Sequence, residues 1–155
     1  MAALTAGRLT PRREGDYIAG AVAASTTLFA GAMVMRNAAG HLVEGQTATG
    51  LVGVGVADAE ANNSGGSAGD ITARVRPGIF RMANSASTDE ITIADIGAVA
   101  YAVDDQTVAL TDATGTRSPA GIIEDVDSDG VWVRFDEFLT KHAAVAAQAL
   151  ADANP

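Results

Sequence analysis

The sequence predicts a mainly β protein: a small antiparallel β-barrel or sandwich of two related halves, with a flexible N-terminal arm and a C-terminal helix. Three observations point there. Across residues 17–135, short runs of Val, Ile, Leu and Thr are bounded by Gly, Asn, Asp or Pro at the spacing of antiparallel sheets. A series of glycine-plus-apolar segments occurs twice in the same order. After Phe135 the composition switches to helix formers behind a capping residue. A chain of 155 residues can bury one compact core, and with aromatics at only 5% that core is built from small side chains.

Residues 1–16 are the first unit. They carry three arginines, two carboxylates and Pro11 without apolar periodicity, so they have no face to bury and read as an arm that is mobile in isolation. The second unit, residues 17–135, is the β domain. Its opening stretch, residues 17–35, is uncharged for nineteen positions and imitates a membrane span or signal peptide. Its alanines and glycines contribute little transfer energy, Glu14 and Asp16 sit at the wrong flank, and Ser25-Thr26-Thr27 reads as a turn between two strands. No membrane partner is expected.

Ten strands are predicted, at residues 28–36, 41–44, 50–58, 71–76, 78–83, 90–93, 98–103, 107–111, 120–126 and 130–135. Residues 59–70, rich in Asn, Gly and Ser, read as a long exposed hairpin loop. In the third unit, residues 136–155, Asp136 is the expected N-cap of a helix of about four turns stopped by Asn154-Pro155. Phe138, Leu139, Val145 and Leu150 give that helix only a sparse apolar stripe, which predicts weak docking.

The repeat runs through Gly31-Ala-Met-Val-Met, Leu42-Val43, Gly50-Leu-Val-Gly-Val and Arg74-Val-Arg76. The second passage is Gly97-Ala-Val-Ala-Tyr101, Val108-Ala109, Gly121-Ile-Ile-Glu-Asp125 and Val133-Arg134-Phe135. Gly31 with Gly97 and Leu42 with Val108 are both 66 apart (97 − 31 and 108 − 42), whereas Gly50 with Gly121 gives 71 (121 − 50), so small insertions are required.

Charge and composition exclude several function classes. A net charge of −9 argues against nucleic acid as a partner, because each phosphate contact needs a cation. Without cysteine there is no disulfide, thiolate nucleophile or Cys-ligated metal, and no cofactor is expected. Asp125-Val-Asp127-Ser-Asp129-Gly130, with Asp136 six residues beyond the glycine, fits a calcium-loop template with Asp in place of the terminal Glu. The flanking runs are strands, so the favoured reading is a hairpin turn. The alternative is a calcium- or carbohydrate-binding β-module using Asp125, Asp127, Asp129 and Asp136.

His41 and His142 have no nucleophile-elbow or zinc-type motif, and no catalytic residue is nominated. Gly50-Leu-Val-Gly-Val-Gly precedes a hairpin where a dinucleotide fingerprint would precede a helix. Asp104-Asp105 reads as a solvated turn. Residues 82–116 hold six carboxylates and no Lys or Arg, a hydrated face unless a basic partner covers it.

Gly31-Ala-Met-Val, Gly50-Leu-Val-Gly-Val, Gly97-Ala-Val-Ala-Tyr101 with Asp104 and Thr107-Val108, Ala120-Gly121-Ile-Ile and Gly130-Val-Trp-Val-Arg134 form an ordered set. Over about residues 28–135 this set resembles the capsid cement, or head decoration, proteins of tailed bacteriophages. The resemblance implies a β-barrel or sandwich, usually a homotrimer, on the outer surface of the expanded head, where it ties major capsid protein subunits together without enzyme activity. It implies a virion location after synthesis in the host cytoplasm. In lambda-type members a flexible N-terminal segment becomes ordered on the capsid, and residues 1–16 would be its counterpart.

The physics of the arm is compatible with that role. An unfolded segment can add a strand to an exposed sheet edge, meeting its ordering cost only on binding. Leu4, Leu9 and Tyr17 would then be apolar anchors, and Arg8, Arg12 and Arg13 would pair with capsid carboxylates. Three linked arms would act by avidity.

Overall fold

The computed structural model describes residues 5–11 and 15–153. In chain order the elements are β1 (Ile18–Ala21), β2 (Thr26–Leu28), β3 (Met33–Arg36), β4 (Leu42–Glu44), β5 (Val52–Ala57), β6 (Ala61–Asn63), β7 (Thr72–Arg76) and β8 (Gly78–Asn84), then β9 (Val99–Ala102), β10 (Thr107–Ala109), β11 (Pro119–Asp127), β12 (Gly130–Phe135) and α1 (Glu137–Ala153). The first half forms a five-stranded sheet in the order β1-β7-β5-β3-β4, whose two edges meet at a parallel bridge between Val22 and Leu42. The second half is a closed five-stranded barrel, β10-β8-β12-β11-β9.

The two halves match in register. Met35 faces Val43 and Gly53 in the first half, and Tyr101 faces Ala109 and Pro119 in the second, each 66 positions later. A bulge follows at the same place in both, so that Val34 pairs Gly55 and Ala100 pairs Gly121. Val56 pairs Arg76 as Ile122 pairs Arg134. The turns before β3 and β9 repeat as well: the Gly31 amide donates to the Ala57 carbonyl at 2.9 Å and the Gly97 amide to the Ile123 carbonyl at 2.8 Å. Closure is also shared, through Ala23 N–H to the Leu42 carbonyl at 2.9 Å and Ser85 N–H to the Val108 carbonyl at 3.0 Å. The expected match of Gly50 with Gly121 is corrected: Gly55 is the counterpart, and the offset of 66 (121 − 55) persists through β5 without an insertion.

Both glycines have one cause. At each bulge the strand passes so close to its neighbour that a Cβ on Gly121 would lie 2.6 Å from the Arg134 carbonyl oxygen, and one on Gly55 2.7 Å from the Arg76 carbonyl carbon. The sheet of the first half wraps a core of Val22, Leu28, Val34, Leu42, Val54 and Val75. A second core joins the inside of the barrel, including Val108, Ile123, Val133 and Phe135, with the outward Met33, Met35 and Val56 of the first half. Alternating strand residues thus serve two cores.

Three sequence expectations are corrected. Residues 90–93 are not a strand: Ile91 is buried between two 3-10 segments (Ser87–Asp89 and Ile93–Asp95). The Asn84 side chain satisfies both backbone groups of Ile91, donating to its carbonyl at 2.8 Å and accepting from its amide at 3.0 Å, so no neighbouring strand is needed. The long loop of residues 59–70 contains β6, which pairs with β2 and carries the buried Asn63; its amide donates to the Ala23 carbonyl at 2.8 Å and the Ser67 carbonyl at 2.9 Å. Of Ser25-Thr26-Thr27 only Ser25, at φ 54°, lies in the turn, because Thr26 and Thr27 belong to β2.

The helix begins where the capping residue predicts. One Asp136 carboxylate oxygen accepts from the Phe138 and Leu139 amides at 3.1 and 3.0 Å, and Arg36 ties Glu137 to β3 at 2.7 Å. The expected stop at Asn154-Pro155 lies outside the described residues.

Candidate interaction surface

Of the proposed arm contacts, Leu4, Arg12 and Arg13 lie outside the described residues. Arg8 and Leu9 belong to a stretch, residues 5–11, that is exposed throughout and contains neither strand nor helix; Leu9 is 93% exposed. Tyr17 is where the arm meets the fold. It immediately precedes β1, and its ring lies 4.0 Å beneath the Arg74 guanidinium and 5.4 Å from that of Arg76.

This anchor follows from local structure. The alternation of β7 points Thr72, Arg74 and Arg76 outward and Ala73 and Val75 into the core, and antiparallel pairing sets Ile18 opposite Val75. Tyr17 is thereby brought onto the face carrying the two arginines. Asp58 completes the group, 2.5 Å from Arg76 and 3.9 Å from Arg74. Its carboxylate, and then Tyr17, push the Arg76 pKa upward. Sequence reasoning nominated Tyr17 and missed Arg74, Arg76 and Asp58. The alternation of residues 72–76 is the signal that could have found the arginines.

The named ladders of β1 join Ile18 through Ala21 to β7 alone, and the other side of the strand is joined only beyond its end, at Val22. Leu42 of β4 lies against this side of the strand, since a Cβ on Gly20 would come within 2.8 Å of its side chain. Further exposed apolar side chains are Phe29, Ile93 and Ile96, at or beside the equivalent turns preceding β3 and β9.

The acidic loop is a hairpin. Asp127 pairs Gly130 across the turn joining β11 and β12, as the flanking strand runs predict. One Asp127 oxygen accepts from the Asp129 and Gly130 amides at 2.7 and 3.1 Å, and the other from the Trp132 indole at 2.7 Å. These donors, the indole first, hold the Asp127 carboxyl below the usual carboxylate range. Asp129 pairs with Arg81 at 3.1 Å, and Asp125 accepts from the Val126 amide. Asp136 caps α1 at the far end of β12, about 20 Å away at ~3.3 Å per residue. The structure does not bring the four carboxylates together, and among the described residues no group of three or more His, Asp or Glu is placed to hold a metal ion.

Asp104 closes a turn by accepting from the Gln106 and Thr107 amides. His41 follows the β3–β4 turn, and His142 is exposed on α1. Much of the acidic run is occupied locally: Asp89 accepts from Thr111 and pairs with Arg117 at 3.0 Å, and Asp95 closes a capping box with Thr92. Among the described residues no helix is long and apolar enough to cross a membrane. No family model, curated protein or solved structure matches the chain.

Proposed function

We propose that the protein is a non-enzymatic cement protein of a tailed-phage head. It would bind the outer surface of the expanded capsid as a homotrimer and stabilise the shell against internal pressure. Its N-terminal arm would add a strand to a sheet edge of the major capsid protein. The reading rests on the sequence resemblance, and the observation that carries its mechanism is the exposed stretch of residues 5–11, without strand or helix, together with Tyr17 anchored immediately before β1.

An arm of this kind gains main-chain hydrogen bonds only when a partner edge is present, so its affinity is coupled to the partner's shape. The arginine-bearing root at Arg74 and Arg76 would stay outside the capsid groove and hold the direction in which the arm leaves the barrel. The acidic body is compatible with a position remote from packaged DNA.

The test is to mix the purified protein with expanded heads and with unexpanded precursors and to measure co-sedimentation. Binding is expected only to expanded heads, and deletion of residues 2–16 is expected to abolish it. Equal binding by the deleted protein would sink the arm mechanism, and no binding by the intact protein would sink the cement reading.

A further inference from the structure

The repeat carries the same ion pair in both halves, but the two copies are completed differently. In the second half Arg134 grips Glu124 with two nitrogens, Nε donating to Oε2 at 2.9 Å and Nη2 to Oε1 at 2.8 Å. Asp58 lies 66 positions before Glu124 (124 − 58), and Arg76 holds the place of Arg134, since Val56 pairs Arg76 as Ile122 pairs Arg134. Arg76 gives Asp58 a single nitrogen, Nη2 donating to Oδ1 at 2.5 Å, and the other Asp58 oxygen lies 3.9 Å from Arg74. The two-pronged pairing is complete in one copy and half open in the other.

Beside the open copy lies a cleft of about 380 Å³ between the two halves, where β7 passes through Pro77 into β8. Arg76 and Arg81 both line it, and Asp58 is the one carboxylate in its wall among the described residues. The apolar part of the wall is Phe80 with the buried Val56 and Met82. Arg81 commits one nitrogen, Nη1, to the exposed Asp129 at 3.1 Å. Among the described residues each guanidinium thus keeps most of its N–H donors for a further acceptor. The Tyr17 ring, 5.4 Å from Arg76, and Asp58 hold this side chain in place, so less order has to be gained on binding. Around the cleft three arginines, Arg74, Arg76 and Arg81, meet two carboxylates, Asp58 and Asp129, which leaves local positive charge on a chain of net charge −9.

We propose that this cleft binds a pair of carboxylates on a short aliphatic tether, one carboxylate on Arg76 and one on Arg81, with the tether against Phe80 and Met82. A guanidinium fork matches a planar carboxylate, and the apolar wall favours methylene groups over water. A free dicarboxylate and neighbouring acidic side chains of a polypeptide share this chemistry. The inference is independent of the capsid reading.

The test titrates the full, isotope-labelled chain with glutarate, with a capped di-glutamate peptide and with acetate at matched ionic strength, following the arginine Nε–H resonances. Glutarate or the peptide should move the Arg76 and Arg81 signals along a saturating curve with a midpoint in the millimolar range, at least about tenfold below that of acetate. Arg81→Gln and Arg76→Gln should each weaken binding by about tenfold or more, whereas Arg134→Gln, in the closed copy of the pair, should leave it unchanged. Tighter binding of the peptide assigns the carboxylates to a polypeptide partner, and tighter binding of glutarate to a free dicarboxylate. Absence of saturation by both up to ~50 mM would overturn the proposal. So would acetate binding as tightly as either, or an Arg81→Gln protein that binds like the parent, since both are the marks of non-specific attraction. Arg81 is half-exposed and its replacement leaves the core intact, so this variant decides the matter if Arg76→Gln fails to fold.

Discussion

The equivalence of the two halves makes a quantitative prediction at Gly55 and Gly121. A methyl group at either site would be about 1 Å too close to a backbone carbonyl group of the adjacent strand, judged against ordinary contacts of ~3.5 Å. A carbonyl held in a ladder cannot rotate away as a flexible side chain would. Overpacking of this kind costs roughly 1–3 kcal/mol, offset by about 0.4–1 kcal/mol because alanine restricts the unfolded chain. The net loss is about 1–2 kcal/mol for Gly55→Ala and for Gly121→Ala, equivalent to a fall in Tm of about 2–8 °C for a chain of this size. Gly65→Ala is the control: nothing lies within 4 Å of the added Cβ, so only the unfolded-state effect remains and stability should hold or rise slightly. The assay is thermal and urea unfolding of the three variants beside the parent protein. A neutral Gly55→Ala beside a damaging Gly121→Ala would refute the claim that one packing cause acts at both bulges.

Three further outcomes are expected. Asp127, held down first by the Trp132 indole, Asp89, by Thr111 and then Arg117, and Glu124, by Arg134, all have folded pKa values below normal. Their stabilisation is present above about pH 4 and is lost as pH falls through the folded values, so Tm should drop below pH ~4 and drop less steeply in Asp127→Asn. Superimposable Tm profiles for parent and variant would contradict this, and the fluorescence of the single Trp132 offers a local readout. Asp136→Ala leaves the Phe138 and Leu139 amides without their acceptor and should cost about 1 kcal/mol, seen as lost helical ellipticity with intact barrels; an unchanged spectrum would count against the cap. Millimolar calcium should leave Tm unchanged, whereas a rise that disappears in Asp127→Ala would restore the metal-loop reading.

What could be read from the sequence was whatever depends on neighbours along the chain. Alternation in residues 72–76 and 130–135 specifies strands because a half-buried sheet needs apolar residues at every second position, and Asp136 marks a helix start because its acceptor lies two and three residues from the donors it satisfies. The repeat was visible in its glycines, since a tight bulge excludes a side chain in either copy. Its register needed the fold: Gly50 and Gly55 both belong to Gly-Val runs, and only the pairing of Val34 with Gly55 shows which of them carries the bulge.

Long-range partners decided the rest. Ile91 looks like strand until Asn84 takes both of its backbone groups, and residues 61–63 look like loop until β2 pairs with them from more than thirty positions away. Tyr17 is anchored by arginines some sixty residues later. Burial and cross-strand contact bring together residues that chain order keeps apart, so sequence periodicity determined the elements whose cause is local, while tertiary packing decided the others and the surfaces they leave open.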